Sequence, residues 1–137
     1  MALICDTGPL LAALDAADPD HDRCARLLVH TDEDLVVPAL VLAELDYWCA
    51  RRLTPEAWLT FLDDLLAGVY RVEPPTVPDL TRCRDLQARY ADLALGVVDA
   101  SVIALAERLE EPKVATLDQR HFRAVRPAHV ETFELRP

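Results

Sequence analysis

The sequence predicts an α/β fold: a parallel β-sheet of four to five short strands flanked by helices on both faces. The first observation behind this is alternation. Short apolar runs at Ala2–Cys5, Leu35–Val37, Val69–Val72, Val114–Leu117 and Val130–Leu135 are separated by segments of helical periodicity. The second is connection length, since every link between runs is long enough for the right-handed crossover that joins parallel strands. The third is size. A chain of 137 residues, 52% of them hydrophobic and only 6% aromatic, supports one packed core, so residues 1–137 are read as a single domain without linker, repeat or low-complexity tract.

Taken in order, Ala2 to Cys5 forms a strand that delivers Asp6, and Thr7, Gly8 and Pro9 turn the chain into a helix through Leu10, Leu11 and Leu14. Asp6 therefore sits at a strand end, either as a cap or as a ligand. A polar break from Asp15 to Pro19 precedes a second helix, from about Asp20 to Val29, that presents Cys24, Leu27 and Leu28. After the strand Leu35–Val37, Pro38 introduces a helix to about Arg52. On it Glu44 projects about 40° from both Leu40 and Trp48 at 100° per residue, among apolar neighbours, whereas Asp46 points away. A carboxylate placed there wants a cation, either Arg51 two turns on or a metal.

Thr54 and Pro55 open a fourth helix that carries Trp58, Phe61, Leu62, Leu65 and Leu66 at core spacing and ends at Gly68. The strand Val69–Val72 follows. The Pro74, Pro75, Pro78 cluster reads as a turn before a helix from Asp79 to Tyr90, and Asp92 lies in the next loop, favoured as a cap over an outer metal ligand. The helix that opens near Asp99 places Val102, Ile103, Ala106 and Leu109 on one face, and Asp99 falls within that face. It ends at Glu111 and Pro112. The run Val114–Leu117 then reads as a strand with Asp118 at its end. Beyond it QRHFRAVR, with Arg120, His121, Arg123 and Arg126 and no acid, is either a solvated loop or a phosphate contact beside a site.

Composition sets limits on function. The net charge of −10 opposes general nucleic-acid binding, because phosphate contacts normally come from a basic surface. The balance stays acidic with four acids set aside as ligands, so contact with a nucleic acid has to be local and assisted by a bound cation. Arginine supplies nearly all the positive charge, which suits bidentate phosphate contacts. Cys5, Cys24, Cys49 and Cys83 form no C-x-x-C pair and the histidines lack zinc spacing, so the cysteines read as reduced thiols. No apolar run reaches the length of a membrane span and no signal peptide is evident, so a cytoplasmic protein with no membrane association is expected.

Asp6 and Asp118 follow strands, while Glu44 and Asp99 face inward from helices. In open parallel sheets the C-terminal strand ends line the ligand crevice, where these acids can meet. Such a cluster repels itself, at about 4 kcal/mol for two unit charges about 4 Å apart at an effective dielectric of 20. All-oxygen ligation suits a hard cation such as Mg2+ or Mn2+, which is the equipment for phosphodiester hydrolysis by activated water.

CDTGPLLA with Asp6, the helix bearing Glu44, and VVDASVIALAERL followed by VATLDQRHF resemble the PIN domain, specifically the VapC-type toxins of type II (VapBC) toxin–antitoxin pairs. The resemblance covers nearly all of the chain. Carried over, the family's acidic quartet falls on Asp6, Glu44, Asp99 and Asp118, and its hydroxyl positions fall on Thr7 and Thr116. The resemblance implies an Mg2+-dependent endoribonuclease with a PIN-like sheet, usually a homodimer, held inactive by a cognate VapB-type antitoxin that lays a peptide over the site. Asp6 and Asp99 would be the main metal ligands, with Glu44 and Asp118 acting directly, through water, or in activating the nucleophile. Asp92 is a further supporting candidate, and Arg120, His121 and Arg123 are candidates for RNA contact. A non-catalytic PIN-like interaction module is the chief alternative. An Mg2+-dependent phosphatase of the haloacid-dehalogenase type is a weaker one, because Gly8 stands where its second carboxylate belongs.

Overall fold

The computed structural model describes residues 1–137. Its strands are β1 (Ala2–Cys5), β2 (Asp34–Pro38), β3 (Arg71–Glu73), β4 (Lys113–Ala115) and β5 (Glu134–Arg136). Its helices are α1 (Thr7–Leu14), α2 (His21–His30), α3 (Ala39–Arg52), α4 (Pro55–Leu66), α5 (Val77–Arg89), α6 (Val97–Arg108) and α7 (Gln119–Ala124), with one 3-10 turn at Ala91–Leu93. The five strands pair in parallel in the order β3-β2-β1-β4-β5, as the alternation of the sequence predicts.

Strand order decides where a ligand can sit. From β1 the chain moves outward through β2 to β3, then returns across the sheet to β4 on the other side of β1. The connections leaving β1 and β4 thus diverge, and a crevice opens between their C-terminal ends. Ile4 faces Val36 on one side and Val114 on the other, and Cys5 faces Ala115. β1 is a fully apolar run because both of its faces are covered. Leu3, Ile4, Val36, Val37, Val114 and Ala115 form the floor of a core that also takes in Val41 and Leu45 of α3, Phe61 of α4, Leu86 of α5 and Ile103 of α6. The four cysteines are buried and unpaired. No helix is long and apolar enough to cross a membrane.

Several boundaries differ from the sequence expectation, each for a local reason. Val69 does not start β3. Gly68, at φ +88°, closes α4 with the N–H of Gly68 on Leu65 O at 3.1 Å and that of Val69 on Asp64 O at 3.0 Å, so Val69 is spent on the helix end. The helix expected from Asp79 begins two residues earlier. Thr76 Oγ1 accepts from the Asp79 N–H at 3.1 Å, and Asp79 Oδ2 accepts from the Thr76 N–H at 3.0 Å. That capping box tolerates Pro78 in the first turn, where no N–H is needed. α6 ends at Arg108 rather than Glu111, because Glu110 takes φ 54° and the Glu111 carboxylate turns back to accept the Ala2 N–H at 2.8 Å. The stretch after Asp118, read as either a solvated loop or a phosphate contact, begins with the helix α7.

Candidate metal centre

The crevice beside β1 and β4 is a cleft of about 600 Å³ whose lining includes Asp6, Glu44, Asp99 and Asp118. The structure therefore brings all four expected acids to one place, each by a different local device. Asp6 leaves β1 in extended conformation, and its N–H donates to Ala115 O at 2.9 Å, so the first residue past β1 is still pinned to β4. Its Oδ2 accepts from Thr116 Oγ1 at 2.8 Å, while its Oδ1 is buried without a partner. Thr116 Oγ1 in turn accepts from the Asp118 N–H at 3.0 Å. One buried hydroxyl thus ties the ends of β1 and β4 together. The Thr7 hydroxyl is buried at the same place and also lacks a partner.

Asp99 lies in the first turn of α6, where the helix dipole favours a carboxylate. Asp118 is the N-cap of α7, accepting from the His121 N–H at 3.3 Å. The His121 ring connects the two acids. Its Nδ1 is 2.8 Å from Asp118 Oδ2 and 3.1 Å from Asp99 Oδ2. Its Nε2 lies 2.9 Å from Leu93 O, a group that only accepts, so the Nε2 hydrogen points there. Carboxylate oxygens of Asp99 and Asp118 and a ring nitrogen of His121 all fall within 4.8 Å of one another.

Charge density shows in the acidities. Burial, then the charge of Asp99 and more weakly that of Glu44, push the Asp6 carboxyl up to about 7 against the pull of the Thr7 N–H and the Thr116 hydroxyl. Asp99 is raised by burial and by Asp118, with His121 opposing. A carboxylate that is only 5% exposed, keeps one oxygen unbonded and faces three other acids is a poor structural element and a good cation ligand. The oxygen-rich donor set fits a hard divalent ion.

Glu44 lies among apolar neighbours as its angular position predicts, with Leu40, Tyr47 and Trp48 beside it. The core stripe of α3 is Val41, Leu45 and Cys49, and Glu44 lies half-buried at the cleft wall with Trp48 and Arg52. The alternative partner, Arg51, is not used: its guanidinium sits 5.3 Å over the Tyr47 ring. Asp92 is exposed on the 3-10 turn and does not line the cleft; its neighbour Leu93 contributes instead, through the carbonyl on His121. Of the three residues expected to face RNA, Arg120 and Arg123 are exposed on α7, whereas His121 turns into the acid cluster. Gly8 matters by its size. A Cβ there would lie 3.2 Å from Leu117 Cβ, so the missing side chain lets α1 approach the segment that carries Asp118. Trp48 and Arg52 were not singled out for the cleft, although their i+4 and i+8 spacing from Glu44 places them on its stripe.

A family model for the PIN domain matches residues 3–127. The chain belongs to the PIN-domain family. Among curated relatives of this PIN domain, Ribonuclease VapC26 of Mycobacterium tuberculosis is 36% identical over 125 residues, spanning 91% of this chain and 93% of the relative. Among solved structures, Mycobacterium tuberculosis VapC20, described as a sarcin–ricin loop cleaving toxin, superposes with a TM-score of 0.83 at 23% identity, covering 99% of this chain and 100% of that one. VapBC2 of Rickettsia felis, bound to a DNA fragment from its promoter, gives a TM-score of 0.72 at 16% identity over the whole of both chains.

Proposed function

We propose that this PIN domain is a metal-dependent endoribonuclease, the toxin of a VapBC-type pair, which cleaves RNA phosphodiester bonds with Mg2+ or, alternatively, Mn2+. The observation that carries this is the orphaned oxygen of buried Asp6 within a four-carboxylate cleft. The 36% identity to a ribonuclease over most of the chain adds the substrate class.

In this reading Asp6 and Asp99 hold the ion, with Asp118 beside them. An ion held by these residues would supply an activated, oriented water and offset charge on the phosphoryl oxygens. Thr116 keeps the Asp6 carboxylate aimed into the cleft, and His121 fixes Asp99 and Asp118 relative to each other. Glu44 is the one acid of the four with neither hydrogen bond nor ion pair, so its carboxylate is free to accept the proton of the attacking water. The unpartnered Thr7 hydroxyl can donate to a ligand at the Asp6 end of the cleft. Arg120 and Arg123 on α7 reach phosphates outside it.

A cognate antitoxin peptide laid over the cleft would inhibit by excluding RNA. We also assign a homodimer. Leu40, Tyr47, Val97 and Val98 line an apolar groove of about 440 Å³ next to the cleft, and Tyr47 and Val97 are 50% and 45% exposed. A second copy would remove that surface from water. The test of the activity is cleavage of single-stranded RNA with Mg2+, with EDTA, and by Asp99→Asn. Cleavage should require the metal and fall by about two orders of magnitude or more in the variant, with its fold intact. Equal cleavage in EDTA and in the variant would refute the assignment.

A further inference from the structure

Arg52 is the single cation among the residues that line the acidic cleft. It forms no ion pair, unlike Arg71, Arg82, Arg84 and Arg108, each of which is paired with a carboxylate. Its guanidinium lies 4.4 Å over the Trp48 ring instead. A contact of this kind with a ring face engages no hydrogen-bond acceptor, so the guanidinium N–H groups of Arg52 stay available to grip a phosphate through two parallel hydrogen bonds.

Position gives the contact its meaning. Glu44, Trp48 and Arg52 follow one another at four-residue intervals along the cleft-facing stripe of α3, so Arg52 lies about 12 Å from Glu44 along the helix axis. That is too far for the reacting phosphate. A strand of RNA entering a cleft with four carboxylates meets repulsion at every phosphate, and a bound ion relieves it only where the ion sits. A cation at the far end of the same cleft answers the next part of the problem.

We propose that Arg52, held over the Trp48 ring, binds a backbone phosphate of the RNA beside the one being cut and so sets the path of the strand through the cleft. The proposal rests on the ribonuclease reading above. Arg51 is the built-in control: it is the adjacent residue, carries the same charge, lies 5.3 Å over the Tyr47 ring, and does not line the cleft.

The experiment is fluorescence anisotropy of a short labelled single-stranded RNA on full-length Glu44→Gln protein, which keeps Asp6 and Asp99, with Mg2+, alone and combined with Arg52→Ala, Arg52→Lys or Arg51→Ala. Salt is varied from about 50 to 200 mM, and the slope of log K against log salt is read. Arg52→Ala should reduce the slope by about 0.7, the value for one phosphate contact on a single strand, and weaken binding about tenfold. Arg52→Lys should keep the slope, and Arg51→Ala should change neither quantity. An unchanged slope in Arg52→Ala, or an equal loss in Arg51→Ala, overturns the proposal while RNA binding by the parent leaves the ribonuclease reading standing. Absence of RNA binding by the parent at every salt concentration would remove both.

Discussion

Replacing Asp6 by Asn should stabilise the metal-free protein at alkaline pH, against the usual sign for a buried polar substitution. The Asp6 carboxyl is held near 7 in the folded protein against an ordinary 3.8, so between those values the folded state keeps a proton that the unfolded chain has released. Stability must then fall as pH rises through this window. About three pH units at 1.36 kcal/mol each give about 4 kcal/mol of penalty, fully developed above pH 7 and absent below about pH 4. The Asp6→Asn variant carries no such charge. Its amide oxygen can still accept from Thr116 Oγ1, which now lies 2.8 Å from Oδ2. In EDTA at pH 8 the variant should melt about 10 °C above the wild type, and at pH 4 the two should nearly coincide. Mg2+ or Mn2+ should close most of the gap from the wild-type side, since an ion at a hundredfold over its Kd contributes about 2.7 kcal/mol. Thermal denaturation followed by far-UV circular dichroism reads all of these. A variant that melts at or below the wild type at pH 8 in EDTA would refute the reasoning.

Three other outcomes are expected. Thr116→Val should cost about 2 kcal/mol in urea unfolding, because a hydroxyl bonded to both the Asp6 carboxylate and the Asp118 N–H is replaced by a methyl group; an unchanged midpoint would mean the two strand ends are tied by something else. His121→Asn should weaken Mn2+ binding by about ten- to a hundredfold in isothermal titration, the usual effect of removing a group that orients metal ligands, and unaltered affinity would show that Asp99 and Asp118 need no such support. Tyr47→Asp should turn the proposed dimer into a monomer in light scattering, because it places a charge on a half-exposed apolar groove; a wild-type monomer, or a variant that stays dimeric, would contradict the assignment of that face.

How far the sequence exposed this architecture depended on whether a feature was written locally. β1 is an uninterrupted apolar run and Asp6 follows it directly, so strand, turn and acid are all visible within nine residues. The same holds for Asp118 after β4, and alternation along the chain suffices for the parallel sheet. Asp99 was legible from helical periodicity alone. Glu44 was legible beside Leu40 and Trp48, the neighbours it has in the structure, although the angular argument did not show that Val41, Leu45 and Cys49 form the buried stripe. Long-range partners left less trace. His121 meets Asp99 across 22 positions and Leu93 across 28, and in the sequence it stands among arginines that invite a different role. The one local clue was its i+3 spacing from Asp118, the spacing of an N-cap to the N–H it receives. A six-residue helix such as α7 has too few turns to show a periodicity, and a cap that is also a site acid hides its start. Arg52 escaped because a stacking partner one turn back looks like ordinary packing until the cleft is seen.

All of this rests on four carboxylates from distant parts of the chain meeting in one cleft, where Asp6 and Asp99 hold a divalent ion. The most direct test is an anomalous difference map from crystals of the protein soaked in Mn2+. A peak within bonding distance of Asp6 Oδ1 and an Asp99 oxygen, absent from Asp6→Asn crystals, is the predicted result. An empty cleft at saturating Mn2+, with Asp6 Oδ1 hydrogen-bonded to protein instead, would contradict it.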